Sequence, residues 1–171
     1  HIVLYYLTGL MDVIPFLNNF ISAVLIVFSA LLLSALADAA SNGRFNTFEH
    51  IIFSGIYISS PLMAFKFIYD LDVVAVAISS ACCVLAVISG FSFLQSRRKG
   101  ELFFALGMLL LTISSYETFN AVFVIMVLFA LLLMALFTDK KPKELCLAGL
   151  KLALMLVAAL VIYYLVVTVL Q

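Results

Sequence analysis

Charge is the scarcest property of this chain: 11% of its residues are charged and 67% are hydrophobic, with a mean hydropathy of +1.30. Soluble domains carry charge at about a quarter of their positions. A chain of 171 residues cannot hide so much apolar surface in a water-soluble core, which excludes an ordinary soluble domain. Nine Lys and Arg balance nine Asp and Glu, so the basic field that nucleic acid requires is missing and no nucleic-acid partner is expected. Histidine occurs only as His1 and His50, and cysteine only as Cys82, Cys83 and Cys146, without metal-ligand spacing. The cysteines read as small apolar residues of helices, and His50, beside Glu49, reads as structural. Tryptophan is absent, while sixteen Phe suit lipid-facing and interhelical packing. No G-x-S-x-G, H-E-x-x-H, Walker or dinucleotide fingerprint is found.

What is present is a series of uncharged apolar runs. A bilayer core of about 30 Å takes roughly 20 helical residues, and six segments are expected to be membrane helices: about 13–37, 48–65, 72–95, 102–115, 118–137 and 145–170. Pro15 stands near the start of the first, where its missing N–H costs little. The second is weak, because Pro61 should break or kink a helix placed at about Phe48–Ser60. Residues 61–72 then form a connection or a short interfacial helix. The run Leu102–Phe137 would measure on the order of 54 Å as one helix, too long for one crossing. Splitting it at Ser114-Ser115-Tyr116-Glu117-Thr118 makes a hairpin and takes its only charge, Glu117, out of the span. The expected fold is an all-α, polytopic transmembrane helix bundle of about six helices, some short or kinked, in a single membrane domain over 1–171. Gly55, Gly90 and Gly107 are the positions expected to allow close helix approach. The chain opens inside the apolar run His1–Leu10 without an initiator Met, so it is expected to be a piece whose N-terminus lies upstream.

The charges sort onto alternate connections. Loops 38–50, 95–101 and 138–145 hold seven of the nine Lys and Arg, and the opposite connections hold Lys66 alone. The positive-inside rule makes the first set cytoplasmic. Lys151 lies a turn or two inside the sixth span, near enough to snorkel back to that side.

Asp12, Asp70, Asp72 and Glu117 face the other way, and ionisable groups at a membrane boundary are costly unless hydrated or used. For Asp70 and Asp72, at the start of the third span, two readings stand: N-terminal capping of the helix, or a share in a substrate or cation site. Asp12 divides in the same way. Glu117 sits at the hairpin tip beside Tyr116, and an aromatic face next to a carboxylate suits a sugar; an interfacial Tyr with a hydrated Glu is the plainer account. Lys66, between Phe65 and Phe67, either meets lipid headgroups or holds a phosphate as a point charge.

Three stretches resemble a known family. Asp12-Val13-Ile14-Pro15-Phe16-Leu17 is similar to the D-x-x-P helix entry of Gtr-type glucosyltransferases, polytopic enzymes that glucosylate lipopolysaccharide O-antigen and convert serotype. Ser60-Pro61-Leu62-Met63 with Phe67-Ile68-Tyr69-Asp70-Leu71-Asp72 resembles that family's short-helix, proline, Y-x-x-D stretch. Leu111-Thr112-Ile113-Ser114-Ser115-Tyr116-Glu117-Thr118-Phe119 resembles its S-x-Y-Q hairpin tip, with Glu117 in place of the glutamine. The order holds over almost the whole chain.

The resemblance implies a transferase of the bacterial inner membrane. It would move glucose from a polyprenyl-phosphate-glucose donor to a surface polysaccharide on the periplasmic face. The partners implied are that lipid-linked donor, the polysaccharide acceptor and membrane lipids. No cofactor and no metal ligand set is expected, with a divalent ion left open. Asp12, Lys66, Tyr69, Asp70, Asp72, Tyr116 and Glu117 are the expected substrate-binding residues. Asp70 and Asp72 are candidates for catalysis, although an acidic loop upstream of His1 is the expected location of the catalytic carboxylate. Two alternatives use the same residues: a transporter or flippase subunit for a lipid-linked sugar, with carboxylates along a continuous route, and a non-catalytic membrane scaffold, with separate capping acids.

Overall fold

The computed structural model describes residues 15–59 and 73–170. Among them the chain forms six helices: α1 (Pro15–Ala40), α2 (Thr47–Ile58), α3 (Val73–Ser96), α4 (Lys99–Ser115), α5 (Phe119–Phe137) and α6 (Pro142–Leu170). Four of these, α1, α3, α5 and α6, are long and apolar enough to cross a membrane. The other two are shorter: α2 has 12 residues and α4 has 17, lengths of about 18 Å and 26 Å at 1.5 Å per residue. The protein is an all-α polytopic bundle with two short members.

Local chemistry sets the helix ends on the basic side. Asn42 and Gly43 take φ of 65° and 72°, the left-handed region that stops a helix. Asp38 then organises the turn. Its carbonyl accepts the Gly43 N–H at 2.9 Å and the Ser41 hydroxyl at 3.0 Å, and its Oδ1 accepts the Phe45 N–H at 3.0 Å. Helix α2 starts on a capping box, in which Asn46 Oδ1 accepts the Glu49 N–H at 2.9 Å and Glu49 Oε2 accepts the Asn46 N–H at 2.8 Å. Arg97, at φ 59°, reverses the chain between α3 and α4, and the Ser96 hydroxyl donates to Glu101 Oε2 at 2.5 Å.

Helix α3 is the axis of the bundle, packing chiefly on α4 and α1 and also meeting α5 and α6. Many of its buried residues are small, among them Ala75, Ala77, Ser79, Ala81, Cys83 and Ala86. In lipid, helices associate by close packing and by polar contacts between them, and small side chains permit both. The Tyr57 and Ser80 hydroxyls bond across α2 and α3 at 2.5 Å, and Ser34 Oγ meets His50 Nδ1 at 2.6 Å across α1 and α2. His50 is thus a structural residue. Gly90 marks the closest approach of α3 to α6, since a Cβ there would stand 2.7 Å from Leu152 Cδ2 and 3.0 Å from Met155 Cε.

The same expectation fails for Gly55 and Gly107, which face open space. Both belong to the short helices, whose glycine faces no neighbour approaches. Gly149, not expected, stands in a tight contact, with Leu131 Cδ1 3.0 Å from its notional Cβ. Large apolar side chains of α1 and α6, including Phe20, Leu31, Leu154 and Leu165, remain exposed as a lipid-facing surface. Cys82 and Cys83 are buried in α3, whereas Cys146 is exposed on α6.

Candidate functional site at the hairpin tip

The run 102–137 is not one helix. It breaks at Tyr116, Glu117 and Thr118, where Tyr116 takes an extended conformation with φ −158° and its N–H closes α4 onto Thr112 O at 2.9 Å. The Phe119 N–H then bonds Tyr116 O, and the Asn120 N–H bonds Glu117 O, each at 3.1 Å, starting α5. This three-residue reversal presents Glu117 to solvent while Phe119 is buried beneath it.

Two aromatic pairs lie near that tip. Tyr116 packs edge-on against Phe119, with ring centroids 6.1 Å apart and planes at 81°. The Glu117 carboxylate lies near enough to the phenol of Tyr163 to act on it as a charge. Tyr163 belongs to the far end of α6 and stacks edge-on with Tyr164, at 5.5 Å and 69°. Tyr164 is 57% exposed. The carboxylate therefore has aromatic rings near it from the turn itself, from α5 and from α6. Beside it Asn120 Oδ1 is enclosed without a hydrogen-bond partner, an acceptor that burial makes costly to leave empty.

On either side of Tyr164, the residues Val157, Leu160, Val161, Leu165 and Thr168 make an open apolar face of α6. A carboxylate can accept hydroxyl hydrogens, and an aromatic face can cover the C–H face of a ring.

Of the residues expected from sequence to bind substrate, Tyr116 and Glu117 are both at this tip. Asp12, Lys66, Tyr69, Asp70 and Asp72 lie outside the described residues. Sequence reasoning missed Tyr163, Tyr164 and Asn120. The tyrosine pair did carry a signal, because it stands about 20 residues after the basic Pro142 end of α6, the rise that carries a helix across a bilayer core. Among the described residues no group of three or more His, Cys, Asp or Glu could hold a metal ion.

The architecture defines an all-helical polytopic membrane protein. Residues 3–171 match the family model described as glucosyl transferase GtrII, so the chain belongs to that family and is a glycosyltransferase by class. No curated protein and no solved structure matched the chain.

Proposed function

We propose that this chain carries the substrate-binding part of a membrane glucosyltransferase that moves glucose from polyprenyl-phosphate-glucose to an O-antigen polysaccharide at the periplasmic face. The observation that carries the reading is the approach of the Glu117 carboxylate at the hairpin tip to Tyr163 of α6, with an aromatic pair on each side and an open apolar face of α6 nearby. Family membership supports glucosyl as the group transferred. The basic loops 38–50, 95–101 and 138–145 support the orientation, since cations are retained on the cytoplasmic side.

In the reaction an acceptor hydroxyl oxygen bonds to the anomeric carbon while the bond from that carbon to the phosphate oxygen breaks. Polyprenyl phosphate leaves with the electron pair, and the hydroxyl proton passes to a base. In this proposal Glu117 and Tyr163 hold sugar hydroxyls, Tyr116 covers a ring face, and the open apolar face of α6 lies against the isoprenoid tail. Lys66 neutralises the donor phosphate, Asp12 and Tyr69 contact the acceptor, and Asp70 and Asp72 are the carboxylates to be tested as the base. A carboxylate base typically contributes about 10²–10⁴-fold.

The test is glucose transfer from polyprenyl-phosphate-glucose in membranes containing the full protein, at matched expression. The variants are Glu117→Gln, Tyr163→Phe, Asp70→Asn and Asp72→Asn. Loss of about 100-fold or more in one aspartate variant identifies the base, and weaker donor or acceptor binding in the Glu117 and Tyr163 variants supports the tip as the sugar site. Full activity in all four would leave these residues as caps and rims and overturn the assignment.

A further inference from the structure

The opposite, basic end of the bundle contains a second cavity. It measures about 190 Å³ and lies between the ends of α3 and α5 and the start of α6. Phe91 and Gln95 of α3, Met134 of α5, Lys140 of the α5–α6 connection, and Glu144 and Lys151 of α6 contribute to its wall. The floor belongs to the core, with Phe91 and Met134 only 7% and 6% exposed, while both lysines and Glu144 are exposed. Neither lysine makes an ion pair among the described residues. We propose that this cavity holds an anionic phospholipid by its phosphodiester headgroup.

Charge and depth argue for that occupant. Two lysines and one glutamate leave the cavity with a net single positive charge, and a phosphodiester carries a single negative one. Lys151 lies nine residues into α6, about 14 Å along the axis from Pro142. From there its long side chain reaches back towards the headgroup level, the ordinary behaviour of a lysine near the end of a span. Leu147 lines the same cavity at 50% exposed, and Leu150 and Leu154 continue down α6 at 58% and 59%. A headgroup seated between the lysines would leave its acyl chains against those leucines, a path that free phosphate has no use for. Basic pockets between membrane helices are a known setting for anionic lipid heads.

The proposal does not depend on the activity assigned to the hairpin tip. Its test uses the full protein in nanodiscs of phosphatidylcholine and phosphatidylglycerol, with native mass spectrometry reading the lipid that stays bound. The protein is expected to retain phosphatidylglycerol selectively. Lys140→Gln and Lys151→Gln should each lower that retention about fivefold, the effect of one basic residue at an anionic membrane surface. Glu144→Gln should raise it. Lys99→Gln and Lys143→Gln, at the same end of the bundle but outside the cavity, should leave it unchanged.

Equal losses in the Lys99 and Lys143 variants would mean diffuse surface attraction and would overturn the proposal. So would displacement of the lipid by inorganic phosphate. If the lysine variants fail to fold, the exposed Glu144→Gln decides the matter, since unchanged retention there overturns the proposal.

Discussion

The Glu117 carboxylate lies near the Tyr163 phenol although one belongs to a three-residue turn and the other to the far part of the longest helix. The pair joins the α4–α5 hairpin tip to the end of α6. It should therefore act as a unit. Glu117→Gln and Tyr163→Phe are each expected to lower kcat/KM for glucose transfer about tenfold or somewhat more, the size of a hydrogen bond to a charged group. The double variant should be scarcely worse than either single one. A double-mutant cycle on transfer rates checks this, and strictly additive losses would show that the two residues work apart.

Tight packing at Gly90 makes a contrasting pair of glycine substitutions informative. Gly90→Ala places a methyl group 2.7 Å from Leu152 Cδ2, and overpacking of this kind typically costs about 1–3 kcal/mol. Gly107→Ala enters open space on α4 and should stabilise by about 0.5–1 kcal/mol through helix propensity alone. Thermal unfolding in a fixed detergent should move the two midpoints in opposite directions. Leu152→Val, which shortens the opposing side chain, should restore part of the Gly90→Ala loss.

The capping box at the start of α2 should hold that short helix in place. With 12 residues, α2 gains little from length, because isolated helices this short are marginal in water. Asn46→Ala removes the acceptor of the Glu49 N–H and should cost about 1 kcal/mol. Hydrogen exchange is expected to quicken at the first α2 amides and to stay unchanged at those of α5.

The Tyr57–Ser80 hydroxyl pair ties the far half of α2 to α3. Tyr57→Phe should destabilise by about 0.6 kcal/mol, the average for such contacts between membrane helices, and at most about 1.7 kcal/mol. Ser80→Ala in the Tyr57→Phe background should add little, because the pair is already broken. A loss well above that range would mean that the tyrosine hydroxyl has a further partner.

Much of this molecule was legible in the chain because lipid imposes a coarse rule. Backbone groups without water must bond within a helix, so uncharged runs become helices and charges collect at their ends. The hairpin break at Tyr116–Thr118 follows from the same rule, since the run containing it is too long for one crossing and Glu117 is its only charge. Pairing is different. Tyr163 sits in an apolar stretch that looks the same all round, and nothing local says that it approaches the hairpin tip. Gly55, Gly90, Gly107 and Gly149 are likewise indistinguishable in sequence, yet only Gly90 and Gly149 face a neighbouring helix closely.

By itself, then, the sequence determined that this is a multi-helix membrane protein, where its charges collect, and where the hairpin turns. Those properties depend on transfer of each segment between water and lipid, a sum over neighbouring residues. Only the tertiary structure decided that α3 is the axis, that Gly90 receives α6, and that the Glu117 carboxylate lies near Tyr163 of the last helix. Such contacts depend on the rotation of each helix about its own axis. In a chain whose helices are apolar on every side, that rotation is set by the shapes of the packed neighbours and by a few paired hydroxyls, not by any contrast between wet and dry faces.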